Sequence, residues 1–144
     1  MIKFNHQKQM GADMWTIDEV EVLLNEVAEE LPEAFYNELN GGIFLLPEEK
    51  PHPNSRYGAT PLFIMGEYHR NAHMGRYIVV YYGSLMRVNG LLSPEEMKKE
   101  LRKIIRHEFT HHLESLAGER GLEIKDEENL DKYLNNLKIR VFLL

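Results

Sequence analysis

Apolar residues recur at helical spacing early in the chain, at Ile17, Val20, Leu24, Val27, Ala28 and Leu31, and predict an amphipathic helix. Thr16, followed three residues later by Glu19, is a capping-box pattern that starts it. Pro32 either kinks this helix or opens a second short one, "PEAFYNEL", which Asn40-Gly41-Gly42 stops. The pattern then changes. "GIFLL", Gly42 to Leu46, is a short apolar run between glycine and proline and predicts a buried strand. "LFIMGEY", Leu62 to Tyr68, predicts a second strand. "RYIVVYYGSL", Arg76 to Leu85, is rich in β-branched and aromatic residues and predicts a third. Between the first two lies "PEEKPHPNSRYGATP", a polar loop with four of the chain's six prolines, long enough to suggest a functional or mobile segment. "HRNAHMG" reads as a loop and "MRVNGLL" as a connector.

Helical spacing returns at "SPEE". Ser93 is the N-cap, Pro94 takes the first helical position, and Glu96 completes a capping box. No breaker follows until Gly118, where a left-handed C-cap glycine belongs, so the helix runs for about 24 residues. Asp126 then caps a last helix with an apolar stripe of Leu130, Tyr133, Leu134 and Leu137, and Glu127 and Glu128 suit the dipole of its first turn. The ending "IRVFLL" reads equally as a strand, a docking tail or a continuation. Met1 to Trp15 show no period and read as a lead-in. No repeat or linker divides the 144 residues, so the pattern predicts one α+β domain. It has an N-terminal helix, a short three- to four-stranded sheet, a long helix and a C-terminal helix.

Composition narrows the chemistry. There is no cysteine, hence no disulfide framework and no thiolate site, and any metal must be held by His, Asp or Glu. The formal net charge of −6 argues against phosphate-backbone binding, so no nucleic-acid partner is expected. The basic residues of Lys98–Arg106 read as the solvated face of the long helix. No apolar run approaches the roughly 18–20 residues that span a bilayer, and the N-terminus has no signal-like apolar stretch. No membrane partner is expected, and the cytoplasm is the expected compartment.

The candidate chemistry lies in "RKIIRHEFTHHLESLAG", Arg102 to Gly118. At about 100° per residue, Met97, Leu101, Ile104, Ile105, Phe109, Leu113 and Leu116 form a broad apolar face. His107 and His111 lie four residues apart, one turn from each other, at the border of that face. Imidazoles so placed can converge on one zinc ion, which in a catalytic site takes three protein ligands and a water. Glu108 projects at a neighbouring angle and can serve as general base toward that water. This is the mechanical content of H-E-x-x-H. Glu114 shares the face of both histidines and leans back toward them, which makes it the first choice for third ligand. Three donors in one row strain a tetrahedron, however. Glu119 is the next choice, and Glu123, Asp126, Glu127 and Asp131 are further rivals. His112 turns toward the middle of the apolar face and is expected to be a hydrogen-bonded core residue. His69 and His73 sit in the predicted loop before the third strand. Tyr77, Tyr81 and Tyr82 are mainly strand formers. Of these, His69, Tyr81 and Tyr82 are the candidate substrate contacts.

With this order of elements, the chain resembles the minimal zincin-like metallopeptidases of bacteria. The resemblance spans roughly Ile17 to Leu134 and rests on "EELPEAF", "LFIMGEY", "GRYIVVYYGSL" and "LRKIIRHEFTHH". It implies a small zincin-like α+β fold and a zinc-dependent peptidase holding one zinc per chain. It also implies an edge strand over the active helix that pairs with an extended peptide or protein substrate, here Arg76 to Leu85. Relatives often continue HExxHxxGxxD, with the aspartate as third ligand. This chain has Glu114 and Ala117 at those positions, so the third ligand has moved or the site binds metal weakly. The alternative reading is a non-catalytic binding module that keeps the fold with a structural or vestigial metal. An interaction protein without metal is a third.

Overall fold

The computed structural model describes residues 14–53 and 62–119. The elements run in the order α1 (Ile17–Glu30), β1 (Gly42–Leu46), β2 (Gly66–Asn71), β3 (Gly75–Tyr81), α2 (Tyr82–Asn89) and α3 (Pro94–Glu119). A single 3-10 turn, Glu33–Tyr36, stands where the short helix "PEAFYNEL" is predicted. The architecture is α+β. No helix among the described residues is long and apolar enough to cross a membrane.

Both predicted capping boxes form. Thr16 and Glu19 cap each other's backbone at the start of α1. At α3 the Ser93 hydroxyl accepts the Glu96 N–H at 3.2 Å, and the Glu96 carboxylate accepts the Ser93 N–H at 3.3 Å. Each box satisfies N–H groups that the first helical turn leaves without partners. α3 continues through Gly118 to Glu119, so this glycine is helical and not a left-handed cap.

α1 and α3 pack on each other and on the sheet. Val20, Leu23, Leu24 and Val27 of α1 join Met97, Leu101, Ile104, Ile105, Phe109 and Leu113 of α3 in one core with Ile78 and Val80 of β3. Trp15 belongs to this core at 1% exposure and donates its indole N–H to the Leu92 carbonyl at 2.9 Å. The lead-in predicted for residues 1–15 therefore stops short of Trp15, which is an anchor. Residues 1–13 and the predicted C-terminal helix at 126–137 lie outside the described residues.

The sheet corrects the strand reading in four places, the first being that β2 begins at Gly66 and not at Leu62. The sheet order is β1-β3-β2, with β1 parallel and β2 antiparallel to β3. The strand predicted at Arg76–Leu85 is therefore central, and the edge beside α3 is β2. The physical reason lies in its composition. Ile78 to Tyr81 are all buried, on both faces of the sheet, as a continuous apolar run without polar alternation requires. This strand also ends early, at Tyr81, because Gly83 meets the chain crossing at Glu48–Glu49. A Cβ on Gly83 would stand 2.6 Å from the Glu49 nitrogen. The Gly83 N–H instead donates to the Glu48 carbonyl at 3.0 Å, and the chain turns into α2. Finally, "HRNAHMG" is largely a hairpin. β2 runs to Asn71, whose side-chain oxygen accepts the N–H groups of His73 and Met74, and Gly75 turns the chain at φ +74°.

His112 is the polar residue at the centre of α3's buried face. Its Nε2 lies 2.8 Å from the Asn37 carbonyl, which can only accept, so Nε2 carries the proton. Nδ1 is then the acceptor for the Tyr68 hydroxyl, 2.9 Å away. Burial holds the imidazole below its ordinary pKa, against the opposing pull of the Asn37 carbonyl. This is the hydrogen-bonded core histidine that the helical angle predicts, and it ties α3 both to β2 and to the turn after α1. His112→Ala removes both bonds and leaves a cavity. It is expected to cost about 2–4 kcal/mol of unfolding free energy, measured by denaturant titration.

Candidate active site

α3 brings His107, Glu108 and His111 to one cleft, whose opposite wall is Gly66, Glu67, Tyr68 and His69 of β2, with Ile64 and His52. The two histidine rings are exposed, stand 4.9 Å apart between centroids and meet edge to face at 87°. Glu108 sits one residue inward and is only 6% exposed. The helix period accounts for this difference. Residues four apart face the same way, while the residue between them turns by 100° toward the core.

β2 reaches Glu108 so closely because its first residue has no side chain. A Cβ on Gly66 would stand 2.9 Å from Ile104 Cγ2 and 3.3 Å from Glu108 Cγ. Burial pushes the Glu108 carboxyl up to about 7, and the negative charge of Glu67 adds to the effect. Glu67 shifts the other way. Burial raises it, but hydrogen bonds from Lys50 and Tyr81 outweigh this and hold the carboxyl below its usual range. The Lys50 ammonium contacts both Glu67 oxygens at 2.7 Å, the Tyr81 hydroxyl donates to Oε1, and His69 Nε2 lies 3.2 Å from Oε1.

The remaining predicted residues are placed as follows. His69 lines the cleft. Tyr81 is 5% exposed and reaches the cleft wall only through its bond to Glu67. Tyr82 opens α2, and its hydroxyl donates to the Trp15 carbonyl, so it is an anchor of the N-terminal segment and does not line the cleft. His73 is exposed in the hairpin turn. Glu114 is exposed on α3 and does not line the cleft. Glu119 is ion-paired to Arg70, at 3.1 Å, and to Arg76, which fastens the end of α3 to the β2–β3 hairpin. Glu123, Asp126, Glu127 and Asp131 lie outside the described residues.

The donor chemistry fits a zinc site in part. His107 and His111 offer two neighbouring imidazoles open to the cleft, of the three protein ligands that a catalytic zinc takes. Among the described residues, no group of three or more His, Asp or Glu side chains is arranged to hold a metal ion.

Sequence reasoning missed Lys50, His52 and Glu67. Lys50 and His52 lie in the proline-rich loop whose length marked it, but nothing local ties that loop to a cleft. Glu67 carries a weak signal, as a charged residue inside an otherwise apolar predicted strand.

The chain is similar to the solved structure of a conserved hypothetical protein from Thermus thermophilus. The two share 33% sequence identity with a TM-score of 0.58, over 72% of this chain and 99% of that one. At that identity and coverage, the chain belongs to the same family as the Thermus protein. No protein-family model matches the chain, and no curated protein does.

The Glu108 shift makes the metal-free protein's stability depend on pH. A carboxyl raised from 4.5 to about 7 by folding contributes stability that is fully present below pH 4.5. That contribution is lost as pH rises through 7. Glu108→Gln cannot ionise, so its melting temperature relative to the unsubstituted protein is expected to rise between pH 5 and pH 8. The full difference is on the order of 2–3 kcal/mol, measured by thermal denaturation in the presence of chelator.

Proposed function

We propose that this protein is a zinc-dependent peptidase of the small zincin-like type, with His107 and His111 as metal ligands and Glu108 as general base. The observation that carries this reading is the arrangement at one cleft. Two open imidazoles flank a buried carboxyl, directly against the edge strand of a sheet. His107 and His111 would hold the zinc, which would supply Lewis acidity toward a scissile carbonyl and a water. Glu108 would serve as general base toward the attacking water and would pass the proton on to the leaving amine. Gly66 lets the edge strand come close to Glu108, where an added peptide strand would lie. The substrate is an extended peptide or protein segment that pairs with β2, which among the described residues is paired along β3 alone.

A second reading has its own support. The described residues bring two metal donors together, not three, as in a non-catalytic module with a vestigial metal. Elemental analysis of the purified protein separates the two. The peptidase reading expects about one zinc per chain, lost in His107→Ala and in His111→Ala. Glu108→Gln is expected to keep the zinc while hydrolysis of denatured casein falls about 10²–10⁴-fold. A folded protein without zinc or affinity for it sinks the peptidase reading. Zinc retained with no hydrolysis by the unsubstituted protein favours the binding module.

A further inference from the structure

One ring at the cleft has no part in the water chemistry. His69 of β2 is the register partner of Tyr77 on β3, and the two rings stack, 5.1 Å apart between centroids and 19° between planes. Phe44 of β1 meets Tyr77 edge-on at 5.8 Å. Phe44 pairs in register with Val79, two residues from Tyr77 and so on the same face of the sheet. A row of rings therefore crosses β1, β3 and β2 in order and stops at His69, on the sheet edge.

The end of this row is held and open at once. His69 Nε2 is fastened to Glu67, which Lys50 and Tyr81 fix in turn, so the ring has little freedom to swing away. Tyr77 covers one of its faces, yet the side chain remains 36% exposed and lines the cleft shared with Glu108. A strand added to the outer edge of β2 would bring a side chain to about 4.5–5.5 Å from that of His69, on the same face.

We propose that the edge of β2 selects an extended peptide carrying an aromatic side chain, which stacks on the open face of His69 and continues the row Phe44–Tyr77–His69. The proposal rests on the reading of this cleft as a peptide site and names the residue class it prefers. Gly66, the point of contact with Glu108, precedes His69 by three residues, or about 10 Å along a strand. The aromatic residue consequently sits about three positions from the peptide unit beside Glu108.

Glu108→Gln protein in the presence of zinc tests this without cleaving the probes. These are capped hexapeptides of alternating valine and threonine with a single phenylalanine, and the same peptides with alanine in its place. The phenylalanine peptide is expected to bind about three- to tenfold more tightly and to move the His69 ring-proton resonances upfield. Adding His69→Ala is expected to bring the two peptides to equal affinity. Equal affinities with His69 in place, failure of both peptides to bind, or a preference that survives His69→Ala overturns the proposal. The unsubstituted zinc-loaded protein is then given the same peptides. Binding at His69 with no cleavage overturns the hydrolytic reading and leaves the aromatic site standing. Cleavage with no aromatic preference does the reverse.

Discussion

The close approach of β2 to α3 at Gly66 is the constraint on which the cleft depends. With no Cβ at this position, the strand backbone comes down onto Ile104 and Glu108, where any side chain would hold it off. The next residues then diverge by the simple alternation of a strand. Tyr68 turns toward the helices and bonds His112, while Glu67 turns to the opposite face and joins Lys50 and Tyr81. Three consecutive residues thus fix the distance, the depth and the outer wall of one cleft.

α3 carries two polar side chains into surroundings that are otherwise apolar, and they are treated differently. His112 is fully paired, with the Asn37 carbonyl on one nitrogen and the Tyr68 hydroxyl on the other. Such a group locks a helix in register, because sliding or rotating α3 would break both bonds at once. Glu108 is held where burial and the charge of Glu67 favour its neutral form. A carboxyl kept in that condition costs stability near neutral pH, which is the kind of expense associated with a functional position more than with a structural one. The Glu119 pairs with Arg70 and Arg76 complete the frame by tying the far end of α3 to the hairpin that carries β2.

The features legible in the chain itself are the ones set by near neighbours. Both capping boxes, the apolar faces of α1 and α3, the inward turn of His112 and the side-by-side setting of His107 and His111 follow from angular spacing along a helix. The strand "GIFLL" follows from a short apolar run between breakers, although it is half-buried with Phe44 exposed and not the buried strand that the run predicts. Each of these needs only residues within about one or two turns of each other, and the structure agrees with them.

Contacts between distant segments decided the rest. Whether "RYIVVYY" lies at an edge or in the middle depends on which strands flank it, and burial of both its faces puts it in the middle. Tyr82 leaves the strand because the chain crosses Gly83 at Glu48–Glu49, a meeting that no local pattern encodes. Glu119 reads as a plausible metal donor until the hairpin arginines arrive beside it. Glu67, Lys50 and Tyr81 form one charged cluster from three segments that periodicity treats separately. Sequence by itself determined α1, α3 and the spacing of the candidate ligands, because those rest on the fixed geometry of one helix, while α2 lay unseen in a stretch read as strand and connector. Only the tertiary structure decided the strand order and the wall facing those ligands, because these rest on which distant surfaces pack together.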